Sequence, residues 1–139
     1  MVSAAFVTHK GKLLLFHRDD VPTIKDPDCW DIIGGHLEEG ETPEQGLIRE
    51  VKEEISIDIE DPIFLKELPD YWGGKTYLYH VELDEKQVTE IKLGDEGKEV
   101  KFFTRQDMNN LKLTHNLALY LEDHLLQVLD PSASLGMTG

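Results

Sequence analysis

The spacing of apolar residues along the chain alternates between strand-like and helix-like periods. Two β-prone runs, Val2 to Thr8 and Lys12 to His17, flank a short turn at Lys10-Gly11 and are predicted to form a hairpin. A short apolar run over residues 30 to 33 predicts a strand that ends at a pair of glycines. Further strands are predicted over residues 63 to 68, 76 to 83 and 100 to 103.

A helix is predicted over residues 43 to 55. Thr42 is suited to cap it, and Pro43 would occupy the first helical position, where proline is tolerated. At 100° per residue, the apolar side chains fall in one arc of about 100°. These residues are Leu47, Ile48, Val51 and Ile55. The helix is therefore predicted to lie on a hydrophobic core.

The last part of the chain also has helical spacing. A short helix capped by Thr104 is predicted first, and a longer helix is predicted from Thr114 to about Leu129. Residues 131 to 139 begin with Pro131, are rich in Ser and Gly, and are predicted to be a disordered tail. Residues 1 to 130 are expected to form a single domain, because no linker or internal repeat divides them.

Charge and cysteine content restrict the classes of partner. The 139 residues have a net charge of −14, which argues against binding a nucleic-acid polymer, since such binding needs basic surfaces. Cys29 is the single cysteine, so an internal disulfide is ruled out and a reducing compartment is expected. No apolar run approaches 18 residues and no signal peptide is evident, so we expect a soluble cytoplasmic protein without membrane contact.

Three glutamates, Glu50, Glu53 and Glu54, share a second arc of the predicted helix. Like charges at this spacing destabilise a helix by about 0.2–0.5 kcal/mol per pair. The arc is either a solvated acidic face or a site for Mg²⁺ or Mn²⁺, which favour carboxylate oxygens. Gly34-Gly35 upstream and Gly46 within the helix favour the metal site, because glycine permits close approach by a ligand or a neighbouring loop.

The same stretch resembles the signature box of the Nudix hydrolases. The pattern spans 23 residues of this chain. It consists of Gly35, five residues, Glu41, seven residues and then REVKEEISI at residues 49 to 57. Ser56 departs from it, because the family has glycine at this position. That residue usually ends the helix in a left-handed conformation, which a non-glycine residue adopts at a cost of about 1 kcal/mol. The departure puts local stability in doubt rather than activity, since every charged position is present.

The resemblance implies a single-domain α+β fold, an α/β/α sandwich around a mixed β-sheet. It also implies a metal-dependent hydrolase, using Mg²⁺ or alternatively Mn²⁺, that cleaves the diphosphate bond of a nucleoside diphosphate linked to another group. A nucleoside triphosphate, cleaved to monophosphate and pyrophosphate as in MutT-like enzymes, is the preferred substrate. Nucleotide sugars, ADP-ribose and dinucleoside polyphosphates are alternatives, as is a non-catalytic module that binds a nucleotide. A monomer and a homodimer are both compatible with the sequence.

The resemblance also implies roles for particular residues. The expected metal ligands are Glu50, Glu53, Glu54, the Gly34 carbonyl and Glu96 in the loop of residues 94 to 99, with Glu99 and Asp95 as alternatives to Glu96. Glu50 is the preferred general base, and Glu53 and Glu96 are the alternatives. Arg49 is expected to orient neighbouring carboxylates, among them Glu41, by charge-assisted hydrogen bonds.

Candidate substrate contacts each have a structural alternative. Arg18 either ends a strand or meets a phosphate. Tyr77 and Tyr79 share one face of a strand and either pack in the core or stack on a base, and Tyr71 and Trp72 in the preceding loop have the same two alternatives. Asn116 either helps to cap the last helix or hydrogen-bonds a purine base.

Overall fold

The structure is a computed structural model and describes residues 1 to 121. The predicted continuation of the last helix to Leu129 and the predicted tail lie outside these residues. Within residues 1 to 121, no helix is long and apolar enough to cross a membrane.

The described strands form one mixed sheet. They are β1 (Val2–His9), β2 (Lys12–His17), β3 (Trp30–Asp31), β4 (Ile33–His36), β5 (Ile63–Pro69), β6 (Lys75–Glu82) and β7 (Glu99–Phe103). β1 pairs with β6 in parallel, and the other pairings are antiparallel. The β1–β2 hairpin and the predicted β5–β6 pair are confirmed by this pairing.

The run predicted as one strand over residues 30 to 33 is divided in two. β1 and β2 pair only beside their turn, through Thr8 and His9. Further along, β3 pairs with the end of β2, whereas β4 pairs with the start of β1. The chain changes partner at Ile32 because β1 and β2 diverge and each half of the segment follows a different strand. This arrangement delivers Gly34 and Gly35 beside β1.

Helices cover both faces of the sheet. They are α1 (Pro43–Ile55), α2 (Glu85–Glu90), a 3₁₀ turn (Asp107–Asn110) and α3 (His115–Leu121). On one face Leu47, Val51 and Ile55 of α1 are fully buried, and on the other Leu117 and Tyr120 of α3 are buried. The α/β/α sandwich and the α+β class are therefore confirmed. The sequence prediction missed α2, which begins with a reciprocal pair of hydrogen bonds between Asp84 and Gln87.

Side chains fix both ends of α1. The Thr42 hydroxyl accepts a hydrogen bond from the Gln45 amide at 3.1 Å, and the Gln45 side chain accepts one from the Thr42 amide at 3.0 Å. Ser56 ends the helix in the left-handed conformation that its position predicts, with φ 66° and ψ 25°. Its hydroxyl donates to the Lys92 carbonyl at 2.9 Å. This bond supports a serine where glycine would be unstrained, and it ties the end of α1 to the chain after α2.

Candidate active site

The acidic arc of α1 faces a cavity of about 490 Å³. Glu50, Glu53 and Glu54 line one side, and the loop residues Gly94, Asp95 and Glu96 line the other. The structure therefore brings Glu96 and its predicted alternative Asp95 to the three glutamates of α1. These carboxylates come from two parts of the chain about forty residues apart in sequence, as expected of a site rather than of a solvated helix face.

The glycines around this cavity meet different neighbours. A Cβ at Gly35 would lie 2.5 Å from the Glu50 carboxylate, so the absence of a side chain there lets Glu50 lie against β4. A Cβ at Gly34 would clash with the backbone of β1, while the Gly34 amide faces the Glu54 carboxylate at 3.4 Å. The sequence predicted that a ligand or a neighbouring loop approaches Gly46 closely. In the structure the residue that approaches it is Leu37, through its side chain.

The electrostatics of the cavity favour a cation. Burial and, after it, the like charge of Glu50 raise the pKa of Glu54 to about 9, although the hydrogen bond from the Gly34 amide lowers it. Burial also raises the pKa of Glu50, and the Arg49 hydrogen bond opposes this. Glu54 therefore retains its proton near neutral pH, and a divalent cation would displace that proton.

The donor set fits Mg²⁺ or Mn²⁺ in its chemistry. The oxygen ligands are carboxylates on two elements that surround a cavity open to solvent, where phosphate and water would complete the coordination. Within residues 1 to 121, no three acidic, histidine or cysteine side chains already converge as a metal cluster.

Arg49 links the acidic residues to the loop before α1. Its Nε and Nη2 donate to the two oxygens of Glu41 at 2.8 and 3.0 Å, and its Nη1 donates to Glu50 at 3.0 Å. A further bond goes from Nη2 to the His36 carbonyl at 3.0 Å. The Arg49 hydrogen bonds, helped by the Glu38 amide, lower the pKa of Glu41 to about 2. Arg49 thus contacts the carboxylates that the sequence predicted for it, and Glu41 remains charged.

A second cavity, of about 200 Å³, lies beside the same two glycines. We call it the cleft. It is lined by residues of β1, β3 and β4, the loop of residues 18 to 29, the β5–β6 loop and the start of α3, among them Arg18, Lys25, Asp31, Trp72, Thr114 and Asn116. Gly34 and Gly35 line the cleft and also contact Glu54 and Glu50, so the cleft and the acidic cavity meet at β4.

Three predicted substrate contacts line the cleft, Arg18, Trp72 and Asn116, and Arg18 and Asn116 also have structural partners. Arg18 donates to the carbonyls of Lys25 at 2.8 Å and Asp26 at 3.2 Å, and so braces its own loop. The Asn116 side-chain oxygen accepts a hydrogen bond from the Tyr71 amide at 2.7 Å. The hydroxyl that caps α3 belongs to Thr114, which accepts from the Leu117 amide at 3.1 Å.

Tyr77 and Tyr79 lie on the opposite face of the sheet from the cleft. Tyr79 is buried among the core residues under α1, and its ring contacts Phe64 edge-to-face at 5.4 Å. Tyr77 packs against the same core. Their location matches the core interpretation of this pair.

Two cleft residues were missed from the sequence. Asp31 accepts a hydrogen bond from the Ile32 amide at 2.8 Å, and burial raises its pKa to about 6. An isolated charge within the apolar run of residues 30 to 33 was the available signal for Asp31. Lys25 gave no signal, because one more charged residue in a polar loop is unremarkable in sequence.

Known proteins resemble this chain in sequence and in fold. ADP-ribose pyrophosphatase of Methanocaldococcus jannaschii is 31% identical over 118 residues, which cover 83% of this chain and 66% of that protein. Dihydroneopterin triphosphate diphosphatase of Escherichia coli is 48% identical over 50 residues, 36% of this chain. That match covers 29% of the Escherichia coli enzyme, so the chain spans less than a third of the length of this relative.

The fold has a counterpart among solved structures. A bifunctional NMN adenylyltransferase/ADP ribose pyrophosphatase from Francisella tularensis, complexed with AMP and a Mn ion, superposes with a TM-score of 0.70 at 24% identity. The superposition covers 92% of this chain and 41% of that one, and at this identity it shows the fold. The family model described as NUDIX domain matches residues 1–123, which include every strand and helix described above and the whole acidic cavity. This chain belongs to the NUDIX domain family.

Proposed function

We propose that the chain is a metal-dependent pyrophosphohydrolase that cleaves the diphosphate bond of a nucleoside diphosphate linked to another group. The observation that supports this most directly is the meeting of the acidic cavity and the cleft at Gly34 and Gly35. A molecule whose nucleoside part occupies the cleft would have its phosphates beside the glutamates of α1.

In this proposal Glu50, Glu53, Glu54 and Glu96 hold Mg²⁺ or Mn²⁺ together with the Gly34 carbonyl. The bound cation supplies charge neutralisation on the phosphates and lowers the pKa of water. The Mn ion in the Francisella tularensis structure is consistent with this assignment.

Glu50 is our preferred proton acceptor for the attacking water, with Glu53 and Glu96 as alternatives. Its carboxylate lies against Gly35, where the two cavities meet, and Arg49 holds one of its oxygens at 3.0 Å. A raised pKa brings a carboxylate closer to the range in which it accepts a proton at neutral pH. Arg49 and Glu41 orient this group without contacting the substrate.

Two cations of the cleft would receive the substrate's phosphates. Arg18 and Lys25 line it within a chain whose net charge is −14. Local positive charge is needed here because an anionic substrate is repelled by the protein as a whole.

A nucleoside triphosphate and ADP-ribose are our two candidate substrates. The Escherichia coli relative is named for a triphosphate, although it matches only 36% of this chain. The Methanocaldococcus jannaschii relative is named for ADP-ribose and matches 83%. Asn116, the residue that favoured a purine triphosphate, already accepts a bond from Tyr71, which leaves its amide hydrogens and one lone pair of its oxygen for a base.

A panel of nucleoside triphosphates, ADP-ribose, nucleotide sugars and dinucleoside polyphosphates, assayed with Mg²⁺ or Mn²⁺, tests the proposal. We expect turnover that stops in chelator, and the products distinguish the candidates: monophosphate and pyrophosphate from a triphosphate, AMP and ribose 5-phosphate from ADP-ribose. Glu53→Gln should lower kcat by orders of magnitude, whereas Glu90→Gln on α2 should not. Full turnover in chelator would exclude the metal site, and nucleotide binding without turnover would favour the non-catalytic module.

A further inference from the structure

Three aromatic rings form an exposed cluster at the edge of the cleft. We call Tyr71, Trp72 and His115 the aromatic cluster. The Tyr71 and His115 rings stack with their centres 4.2 Å apart, and the Trp72 ring meets the His115 ring edge-on at 5.6 Å. Tyr71 and Trp72 remain 55% and 45% exposed, so much of their apolar surface stays in water. Exposed aromatic patches of this kind mark binding surfaces.

The backbone beneath the aromatic cluster is fixed by hydrogen bonds. Asp70 accepts from the amides of Trp72 at 2.7 Å and Gly74 at 2.9 Å, which sets the turn of the β5–β6 loop. Asn116 accepts from the Tyr71 amide, and Asp26 accepts from the His115 amide at 3.0 Å. Each restraint opposes the conformational freedom that an exposed loop tip otherwise has. The rings are therefore held in place although their own burial contributes little.

Trp72 is the member of the aromatic cluster that lines the cleft. The Lys25 ammonium lies over the face of this ring, 4.9 Å from its centre, and also lines the cleft. A nucleotide suits this pair, because its base could take the place of the ammonium over the ring while its anionic phosphates attract the displaced cation.

We propose that Trp72 stacks on the nucleobase of the substrate while Lys25 contacts the phosphates. This rests on the proposed function and extends it, because it assigns one wall of the cleft to the base. Stacking is tolerant of base identity, since every base has a π-face. The nucleobase would therefore contribute affinity at Trp72 without strong discrimination between purines.

The test compares a ligand that has a base with one that lacks it. AMP and ribose 5-phosphate are titrated by calorimetry, without added metal, into wild type, Trp72→Ala, Trp72→Phe and Phe64→Ala. Phe64 is the matched control because it is an exposed aromatic, 53% accessible, on β5 and outside the cleft. We expect Trp72→Ala to weaken AMP binding by about 10- to 100-fold, as for loss of base–aromatic stacking. Ribose 5-phosphate binding should be unchanged, and Trp72→Phe should restore most of the AMP affinity.

Several outcomes would overturn the inference. The inference fails if the wild-type protein does not bind AMP, or if Trp72→Ala binds AMP as tightly as wild type does. It also fails if Trp72→Ala loses as much affinity for ribose 5-phosphate as for AMP. Loss of AMP affinity in Phe64→Ala to the same extent would also overturn it. For a substrate that is turned over, Trp72→Ala should raise KM and leave kcat unchanged. Because AMP binding is measured without metal or turnover, a protein that hydrolyses nothing still tests Trp72, and the two proposals can fail separately.

Discussion

The carboxylate of Glu50 lies directly against the backbone of Gly35. A Cβ at position 35 would lie 2.5 Å from the Glu50 Cδ and Oε1 atoms and 2.7 Å from Oε2. Arg49 donates to the same Oε1 at 3.0 Å, so a strand and a helix hold this carboxylate from two sides. The position of Glu50 therefore depends on a residue of β4 that has no side chain.

Replacing Gly35 should reduce activity because it displaces the Glu50 carboxylate. Gly35→Ala forces the Glu50 carboxylate to move, and a displacement of about 1 Å in a reacting group can reduce a rate by roughly 100-fold. We expect a loss of that order in kcat on the best panel substrate, together with weaker Mn²⁺ binding measured by electron paramagnetic resonance.

The matched background for Gly35→Ala is Glu50→Asp, whose shorter side chain leaves room for the methyl group. In that background Gly35→Ala should change the unfolding temperature and Mn²⁺ affinity less than it does in wild type, since contacting residues have non-additive effects. Additive effects would show that the contact between positions 35 and 50 does not matter.

The sequence predicted α1 and its ends correctly because the signals are local. The Thr42 cap, the apolar arc and the left-handed Ser56 all lie within 15 residues. Residues 30 to 36 are divided into one strand that pairs with β2 and one that pairs with β1. This division depends on how far β1 and β2 separate beyond their turn, which the local sequence does not indicate. The contact between His115 and Asp26 joins residues 89 positions apart. The cleft could not be assembled from the sequence for the same reason.

Glu54 should make the stability of the metal-free protein depend on pH. Its pKa rises from an ordinary 4.5 to about 9 in the folded state, so folding favours the protonated form. The stability associated with this group is fully present below about pH 4.5 and is lost as pH rises towards about 9.

Glu54→Gln should abolish that dependence, because the amide does not titrate and has nearly the same shape. Chemical unfolding of the two proteins in chelator, from about pH 5 to about pH 9, should show wild type losing stability relative to Glu54→Gln as pH rises. Saturating Mg²⁺ should reverse the trend for wild type, since a cation that binds only the folded state stabilises it. Parallel pH curves in chelator would show that Glu54 is already charged when folded.

Arg49→Lys should destabilise the protein with a pH dependence opposite in sense to that of Glu54. Arg49 holds the pKa of Glu41 at about 2, below the ordinary 4.5, so the stability from this pair is present above about pH 4.5 and is lost as pH falls to about 2. Lysine keeps the charge but lacks the planar fork that donates two parallel hydrogen bonds to the Glu41 oxygens. The stability difference between wild type and Arg49→Lys should therefore be greatest near neutral pH and shrink in acid.

Arg105→Lys is the control for Arg49→Lys, because Arg105 makes one exposed hydrogen bond to Asn109. Arg105→Lys should leave unchanged the way in which the free energy of unfolding falls as the pH is lowered from neutral into acid. If Arg49→Lys also leaves it unchanged, the paired hydrogen bonds to Glu41 do not determine the pKa of that carboxyl group.

A surface ion pair joins the loop of Glu96 to the loop that contains Arg18 and Lys25. The Lys98 ammonium donates to Asp28 at 2.6 Å, and the same Asp28 oxygen lies 2.9 Å from the His17 Nε2 atom. The Gly97 amide donates to Asp19 at 3.2 Å, and the Lys98 amide donates to the His17 carbonyl at 2.9 Å. These bonds fix the loop of Glu96 relative to one wall of the cleft.

Lys98→Met should therefore affect the site more than the fold. Exposed ion pairs contribute little to stability, so the unfolding temperature should change little. Loosening of the Glu96 loop should weaken Mn²⁺ binding several-fold and raise KM, since metal and substrate sites share this support. Lys10→Met removes the same charge from an exposed pair with Glu85 beside the β1–β2 turn and outside both cavities, and it should change neither quantity. Equal effects of the two substitutions on Mn²⁺ affinity would mean that only net charge matters and that Lys98 does not position Glu96.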